Sequence, residues 1–216
     1  MRAIAAMLLL GSAVAACAAT LAERRPRHNA SAVMPKVVAN WRSMATDADR
    51  KRLRDWRTTW LEAVERARKS GAGAAIAAEG ALFDPDRALA TALPPAGNYQ
   101  CRTFKLGARG TAMTDFTAYP AYACEVNDEG EVASFHTMTG GQRPVGILFR
   151  DSDARAVFLG TLAIGDETKL MAYGRDASRD IIGYIERVGE RRWRLVQPAP
   201  AFESLLNIIE LTPAKG

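Results

Sequence analysis

The sequence predicts an α+β fold: N-terminal helices followed by an antiparallel, eight-stranded β-barrel of lipocalin-like build. Three observations carry this expectation. Between Leu53 and Ala67 the apolar residues recur at steps of three and four, the period of a helix. After Leu93-Pro94-Pro95 and Gly97 the period changes to two. From there about eight short alternating segments follow, separated mostly by hairpin-length turn signals. An antiparallel meander of that length hides its edges by closing into a barrel.

In chain order, residues 1–16 read as a secretory signal. Arg2 supplies the positive start, and Ala3 to Val14 form an apolar run broken only by Gly11 and Ser12. The run is shorter than the roughly twenty residues a permanent span requires. Val14-Ala15-Ala16-Cys17 matches the lipobox of bacterial lipoproteins, in which the cysteine sulfur is diacylated and becomes the new N-terminus. Cys17 is therefore the expected lipidation site. The alternative is ordinary cleavage after Ala16, Ala18 or Ala19. Ala18, rather than Asp, after the cysteine favours the outer membrane. Residues 17–31 are the lipidated tether, whose Glu23-Arg24-Arg25-Pro26-Arg27-His28-Asn29 has no apolar period. The expected place is the periplasm, with the membrane as partner through the anchor.

Residues 32–93 form the helical segment. Val37 to Trp41 predict a short helix. The main helix opens at Thr46, an N-cap, with Asp47 and Asp49 at the positive end of its dipole. Leu53, Trp56, Trp60, Ala63, Val64 and Ala67 make its apolar stripe, and Gly71 stops it. Trp56 and Trp60 read as core contacts rather than a ligand platform. Ala72 to Ala81 is weakly helical. Asp84-Pro85 predicts another short helix, with Asp84 as cap and Pro85 in the first turn, ending before Leu93.

Residues 94–216 form the barrel. The expected strands are Tyr99–Leu106, Tyr119–Val126, Glu131–Thr137, Val145–Arg150, Ala156–Ile164, Ile181–Val188, Arg192–Val196 and Leu205–Thr212. Cys101 and Cys124 are the even pair left in an oxidising compartment once Cys17 carries lipid, and are expected to be joined. The register this suggests sets Cys101 opposite Cys124, Tyr99 opposite Val126 and Thr103 opposite Tyr122.

Charge is uneven. Leu21 to Ser70 holds thirteen Lys or Arg against six Asp or Glu, a net of +7; Gly71 to Gly216 holds fifteen against eighteen, a net of −3. The basic part is either a solvated helix face or a surface for anionic headgroups. Its aromatics are not interleaved with the basic run, and export is the wrong compartment for nucleic acid, so none is expected. With two histidines, His28 and His136, and the cysteines committed, no metal is expected. No phosphate loop, dinucleotide fingerprint or nucleophile elbow occurs, and no cofactor is expected. Ser134 and His136 share a strand face, where parallel neighbours seldom meet head to head. Asp166, Glu167, Asp176, Asp180 and Glu186 read first as acidic turns and ends. The candidate binding residues are Arg143, Gln142, Asp166 and Glu167. Arg143 lies in Gly140-Gly141-Gln142-Arg143-Pro144, where glycine permits close approach. It either binds an anion or pairs with a carboxylate.

Several blocks recur together in order. They include Ala45-Thr46-Asp47-Ala48-Asp49-Arg50 running into Trp56 and Trp60, Glu79-Gly80-Ala81-Leu82-Phe83-Asp84-Pro85, and Pro94-Pro95-Ala96-Gly97-Asn98-Tyr99-Gln100-Cys101-Arg102. Later come Gln142-Arg143-Pro144-Val145-Gly146, Phe158-Leu159-Gly160-Thr161-Leu162, Tyr173-Gly174-Arg175-Asp176 and Trp193-Arg194-Leu195-Val196. The set resembles an uncharacterised bacterial family, domain of unknown function 4893, over nearly the whole mature chain. The resemblance implies an exported Gram-negative protein and brings no catalytic residues. Gly97-x-Tyr99 and two cysteines some twenty residues apart also resemble the small periplasmic inhibitors of secreted metalloproteases, though those open with Gly-x-Trp. The expected function is an envelope lipoprotein acting as a non-enzymatic module for an envelope protein or a small apolar ligand. The rivals are a carboxylate hydrolase and a protease inhibitor.

Overall fold

The computed structural model describes residues 39–215. The signal segment, Cys17 and the tether lie outside the described residues. Within them the helical layer comes first and the barrel second, as the change of period predicts.

Helix α1 (Trp41–Met44) starts at Asn40, whose side chain accepts from the Arg42 N–H at 3.0 Å. Of the expected Val37–Trp41 helix, Val37 and Val38 lie outside the described residues, and Ala39 and Asn40 are not helical. Helix α2 (Asp47–Arg54) is capped by Thr46, whose hydroxyl accepts from Asp49 N at 3.2 Å. Helix α3 (Trp56–Ala67) follows after a break at Asp55. A π-helical turn (Arg68–Ala72) then kinks the chain at Gly71, with φ at +97°, and leads into α4 (Gly73–Ala78) and a 3-10 turn (Gly80–Phe83). One stripe had implied one helix, but the break serves two targets. Leu53 packs with Trp41, Ala45, Phe149, Val157, Leu159 and Ile182. Trp60, Ala63, Val64 and Ala67 pack with Phe104, Leu106, Val196, Leu206 and Ile208. A curved wall is covered more fully by two short rods than by one long one.

The helix expected from Asp84-Pro85 does not form. The Asp84 side chain accepts from Asp86 N at 3.0 Å, making a turn, and Leu89 bridges to Arg187. A buried guanidinium holds this segment instead: Arg194 donates to the carbonyls of Ala81 and Leu82 in the 3-10 turn and of Asp84 and Arg87 after it, at 2.7–3.1 Å.

The barrel consists of β1 (Gly97–Ala108), β3 (Tyr122–Asp128), β4 (Val132–Thr137), β5 (Gln142–Arg150), β6 (Ala156–Ile164), β7 (Asp180–Gly189), β8 (Arg192–Pro198) and β9 (Ser204–Pro213). Consecutive strands pair antiparallel, and β9 returns to β1 from Tyr99–Pro213 to Ala108–Ser204, closing the cylinder. A short strand, β2 (Phe116–Ala118), was not foreseen. It shares the β1 edge with β3, pairing Phe104 to Ala118. Pro120 brings no N–H and interrupts the ladder between them, so the expected Tyr119–Val126 strand begins at Tyr122 instead.

Cys101 and Cys124 are joined as expected, but the register differs by two residues. Cys101 faces Tyr122, and Tyr99 faces Cys124. A shift of two keeps both sulfurs on the inner face, and the bridge runs diagonally at a Cα separation of 5.9 Å, within the ordinary range.

One half of the barrel is filled. Tyr99 meets Trp193 edge-on at 6.0 Å, and Phe135 meets Phe158 at 5.9 Å. The disulfide, Leu148, Ile185, Leu195 and Leu211 complete this layer. The Tyr99 hydroxyl donates to the Pro95 carbonyl at 2.6 Å, which holds the incoming chain at that end. Gly146 and Gly160 face each other on β5 and β6. A Cβ at either would lie 2.3 Å from a neighbouring carbonyl oxygen, so glycine is required for the strands to approach there.

Candidate functional site

Alternation along β1 turns Tyr99, Cys101, Thr103 and Lys105 to the inside. The first two belong to the filled half. Thr103 and Lys105 lie beyond it, where the interior opens into a cavity of about 540 Å³. Its rim is built from the segments joining β2 to β3, β4 to β5, β6 to β7 and β8 to β9.

The two sides of the cavity differ chemically. Pro144, Leu162, Ile181 and Ile209 supply apolar lining. Lys105 pairs in register with Asn207, and Asn207 with Gln197, so three polar side chains stand in a row across β1, β9 and β8. Asn207 donates to Gln197 Oε1 at 3.4 Å and accepts from the Ser204 hydroxyl at 2.6 Å. Gln197 is 3 % exposed, and its Nε2 has no acceptor among the described residues. The Thr103 and Tyr122 hydroxyls share a 2.6 Å hydrogen bond, and desolvation pushes the Tyr122 phenol up to about 12.

Lys105, 6 % exposed, is a buried cation of the lining, and Asp180, 4 % exposed, is a buried carboxylate of it. The Lys105 ammonium donates to Gln142 Oε1 at 2.9 Å and pairs with the Glu203 carboxylate. Gln142 Nε2 donates to Glu203 Oε1 at 3.2 Å. Strand β5 stands three pairings from β1 around the cylinder, so Lys105, Gln142 and Glu203 form a polar strap across the mouth. Glu203 sits on the β8–β9 connection at φ +68°, and Ala199 in the same connection at φ +46°. Both are left-handed without being glycine, a conformation that costs about 1–3 kcal/mol each and persists only where surroundings impose it.

The family comparison covers this architecture. Residues 41–211, from the first residue of α1 into β9, match the family model described as Domain of unknown function (DUF4893). The chain belongs to the DUF4893 family. No curated protein and no solved structure matches it.

In this DUF4893 barrel the four candidate residues read from the sequence part company. Gln142 faces inward and is part of the strap. Arg143 points the other way and donates to the backbone carbonyls of Gly140 at 3.3 Å, Glu167 at 2.8 Å and Gly165. Arg143 thus grips loop backbone, and no carboxylate forms an ion pair with it among the described residues. Glu167 accepts from Ile164 N at 2.9 Å and pairs with Arg179, whose guanidinium holds its carboxyl below the usual range. Glu167 therefore braces the rim, and Asp166 is exposed beside it. Ser134 and His136 lie on the outer face with separate partners, the hydroxyl donating to Glu129 at 2.9 Å and the imidazole 3.3 Å from Glu125.

Of the carboxylates considered for hydrolysis, the two most buried, Asp180 and Glu186, are both engaged. Asp180 accepts from Gly174 N at 2.8 Å, and burial pushes its carboxyl up. Glu186 is held by Arg194 at 2.7 Å and by Arg155. Among the described residues no three His, Cys, Asp or Glu side chains converge as a metal would need. Lys105, Glu203, Asn207 and Gln197 were missed by the sequence reading. The available signal was Lys105, a lysine on the inward parity of an otherwise buried strand.

Proposed function

We propose that this chain is an exported lipoprotein, anchored to the envelope through Cys17, whose barrel binds a small, mainly apolar molecule and does no chemistry on it. The half-hollow interior carries the binding part. A volume of about 540 Å³ lies within the roughly 300–1,000 Å³ of small-molecule sites, and an eight-stranded barrel is wide enough for one such ligand. Apolar lining with a few placed polar groups suits a ligand with a hydrocarbon body. The engagement of Asp180, Glu186 and Glu203 with donors favours binding over acid–base catalysis. Val14-Ala15-Ala16-Cys17 supports the anchor, and Ala18 after it the outer membrane.

Two experiments test this. N-phenyl-1-naphthylamine, a neutral fluorescent probe, is expected to bind the purified mature protein saturably. Leu162→Trp, which fills the cavity, is expected to abolish that binding while thermal unfolding stays cooperative. Equal binding by the filled variant would place the probe elsewhere and end the cavity reading. For the anchor, Cys17→Ser is expected to release the protein from the membrane fraction into the periplasmic extract. Unchanged membrane partition refutes lipidation.

A further inference from the structure

We propose that the cavity selects a single-chain anionic amphiphile of the fatty-acid type, and that the Glu203 carboxylate occupies the place of its head group until the ligand arrives. The inference rests on the cavity being a binding site and names the chemistry it takes.

A buried ammonium needs a counter-charge. Lys105 is buried on β1, which pairs with β9 along nearly its whole length, so its position is set by the sheet. Its counter-charge comes instead from the β8–β9 connection, whose Ala199 and Glu203 hold left-handed conformations. That connection gains by relaxing, whereas the strand carrying Lys105 has nowhere to go. If a ligand carboxylate takes the ammonium, Glu203 can turn outward into water, where a carboxylate is well solvated.

The groups left behind match a carboxylate. With Glu203 withdrawn, Lys105 Nζ and Gln142 Nε2 each lose an acceptor at the mouth. Gln197 Nε2, in the same polar row, already lacks one among the described residues. The ammonium of Lys105 and the amide of Gln142, in contact with each other at the mouth, fit an anion with more than one oxygen, and charge-assisted hydrogen bonds are the stronger kind. Below this head position the lining turns apolar through Leu162, Ile181 and Ile209, which suits an alkyl chain. A neutral alcohol of equal length would fill the same apolar space but could not replace Glu203.

Calorimetric titration of the full mature protein at neutral pH with dodecanoate and with dodecanol tests this. Wild type is expected to prefer the acid by about tenfold, equivalent to about 1.4 kcal/mol. Glu203→Gln, which removes the competing charge, is expected to tighten dodecanoate severalfold and leave dodecanol unchanged. Lys105→Met is expected to erase the preference for the acid, with retained dodecanol binding reporting an intact fold. Equal affinity for acid and alcohol in wild type, or no gain for the acid in Glu203→Gln, overturns the head-group assignment and leaves the cavity reading standing. Binding of neither compound overturns both.

Discussion

Arg194 is the residue on which the join between helical layer and barrel depends. Its side chain is fully buried, paired with Glu186 at 2.7 Å, stacked over Trp60 at 4.8 Å, and bonded to four carbonyls of residues 81–87. Removing one member of such a group strands the others without water. Arg194→Ala is expected to cost about 3–5 kcal/mol in denaturant unfolding. Glu186→Leu combined with Arg194→Met should recover part of that loss, because no fully buried charge is then left unpaired; Arg155, which also loses Glu186, is partly exposed to water. A loss under about 1 kcal/mol for the single variant would refute the assignment. The sequence offered Trp193-Arg194-Leu195-Val196 as an ordinary strand. That its arginine would be internal was not legible, because β8 is buried on both faces and alternation loses its meaning there. At Arg143 the sequence left an anion or a carboxylate as the partner, and the folded chain sets its donors on loop carbonyls that no local pattern marks.

At the scale of elements, apolar period and turn residues located most strands within a few residues. They located Ala156–Ile164 to the residue. They did not resolve the register at the cysteines, because a two-residue shift preserves which side chains face inward. Neither did they reveal the break at Asp55, since a stripe of correct spacing is the same whether one rod or two carries it. The disulfide links β1 to β3 across 23 residues. In the chain-entropy model such a loop contributes about 3 kcal/mol. For a domain of this size the corresponding fall in Tm is about 6–12 °C. Differential scanning calorimetry of the Cys101→Ser, Cys124→Ser variant should show that fall. An unchanged Tm would mean the bridge adds nothing to the folded state.

At the scale of the molecule, burial of tyrosines ties stability to alkaline pH. Desolvation raises the phenols of Tyr99, Tyr122 and Tyr173 to about 12, and those of Tyr119 and Tyr184 in the same direction, which accounts for all five tyrosines. A phenol whose folded value lies above its unfolded value of about 10 favours the folded state fully below pH 10. That contribution is lost as pH climbs through 12. Tyrosinate absorbance is therefore expected to rise late and together with the loss of near-ultraviolet dichroism. A normal titration centred near 10 in a protein that stays folded would contradict the burial. From the order of residues alone came the helical layer, the number of barrel strands, the cysteine partnership and the expectation of export through Cys17. All of these rest on local spacing or residue identity. The hollow half of the cylinder, the strap of Lys105, Gln142 and Glu203, and the diversion of Arg143 came only with the tertiary structure. They depend on which side chains from distant strands meet across a closed sheet, and closure brings together residues such as Lys105 and Glu203 that no local pattern connects.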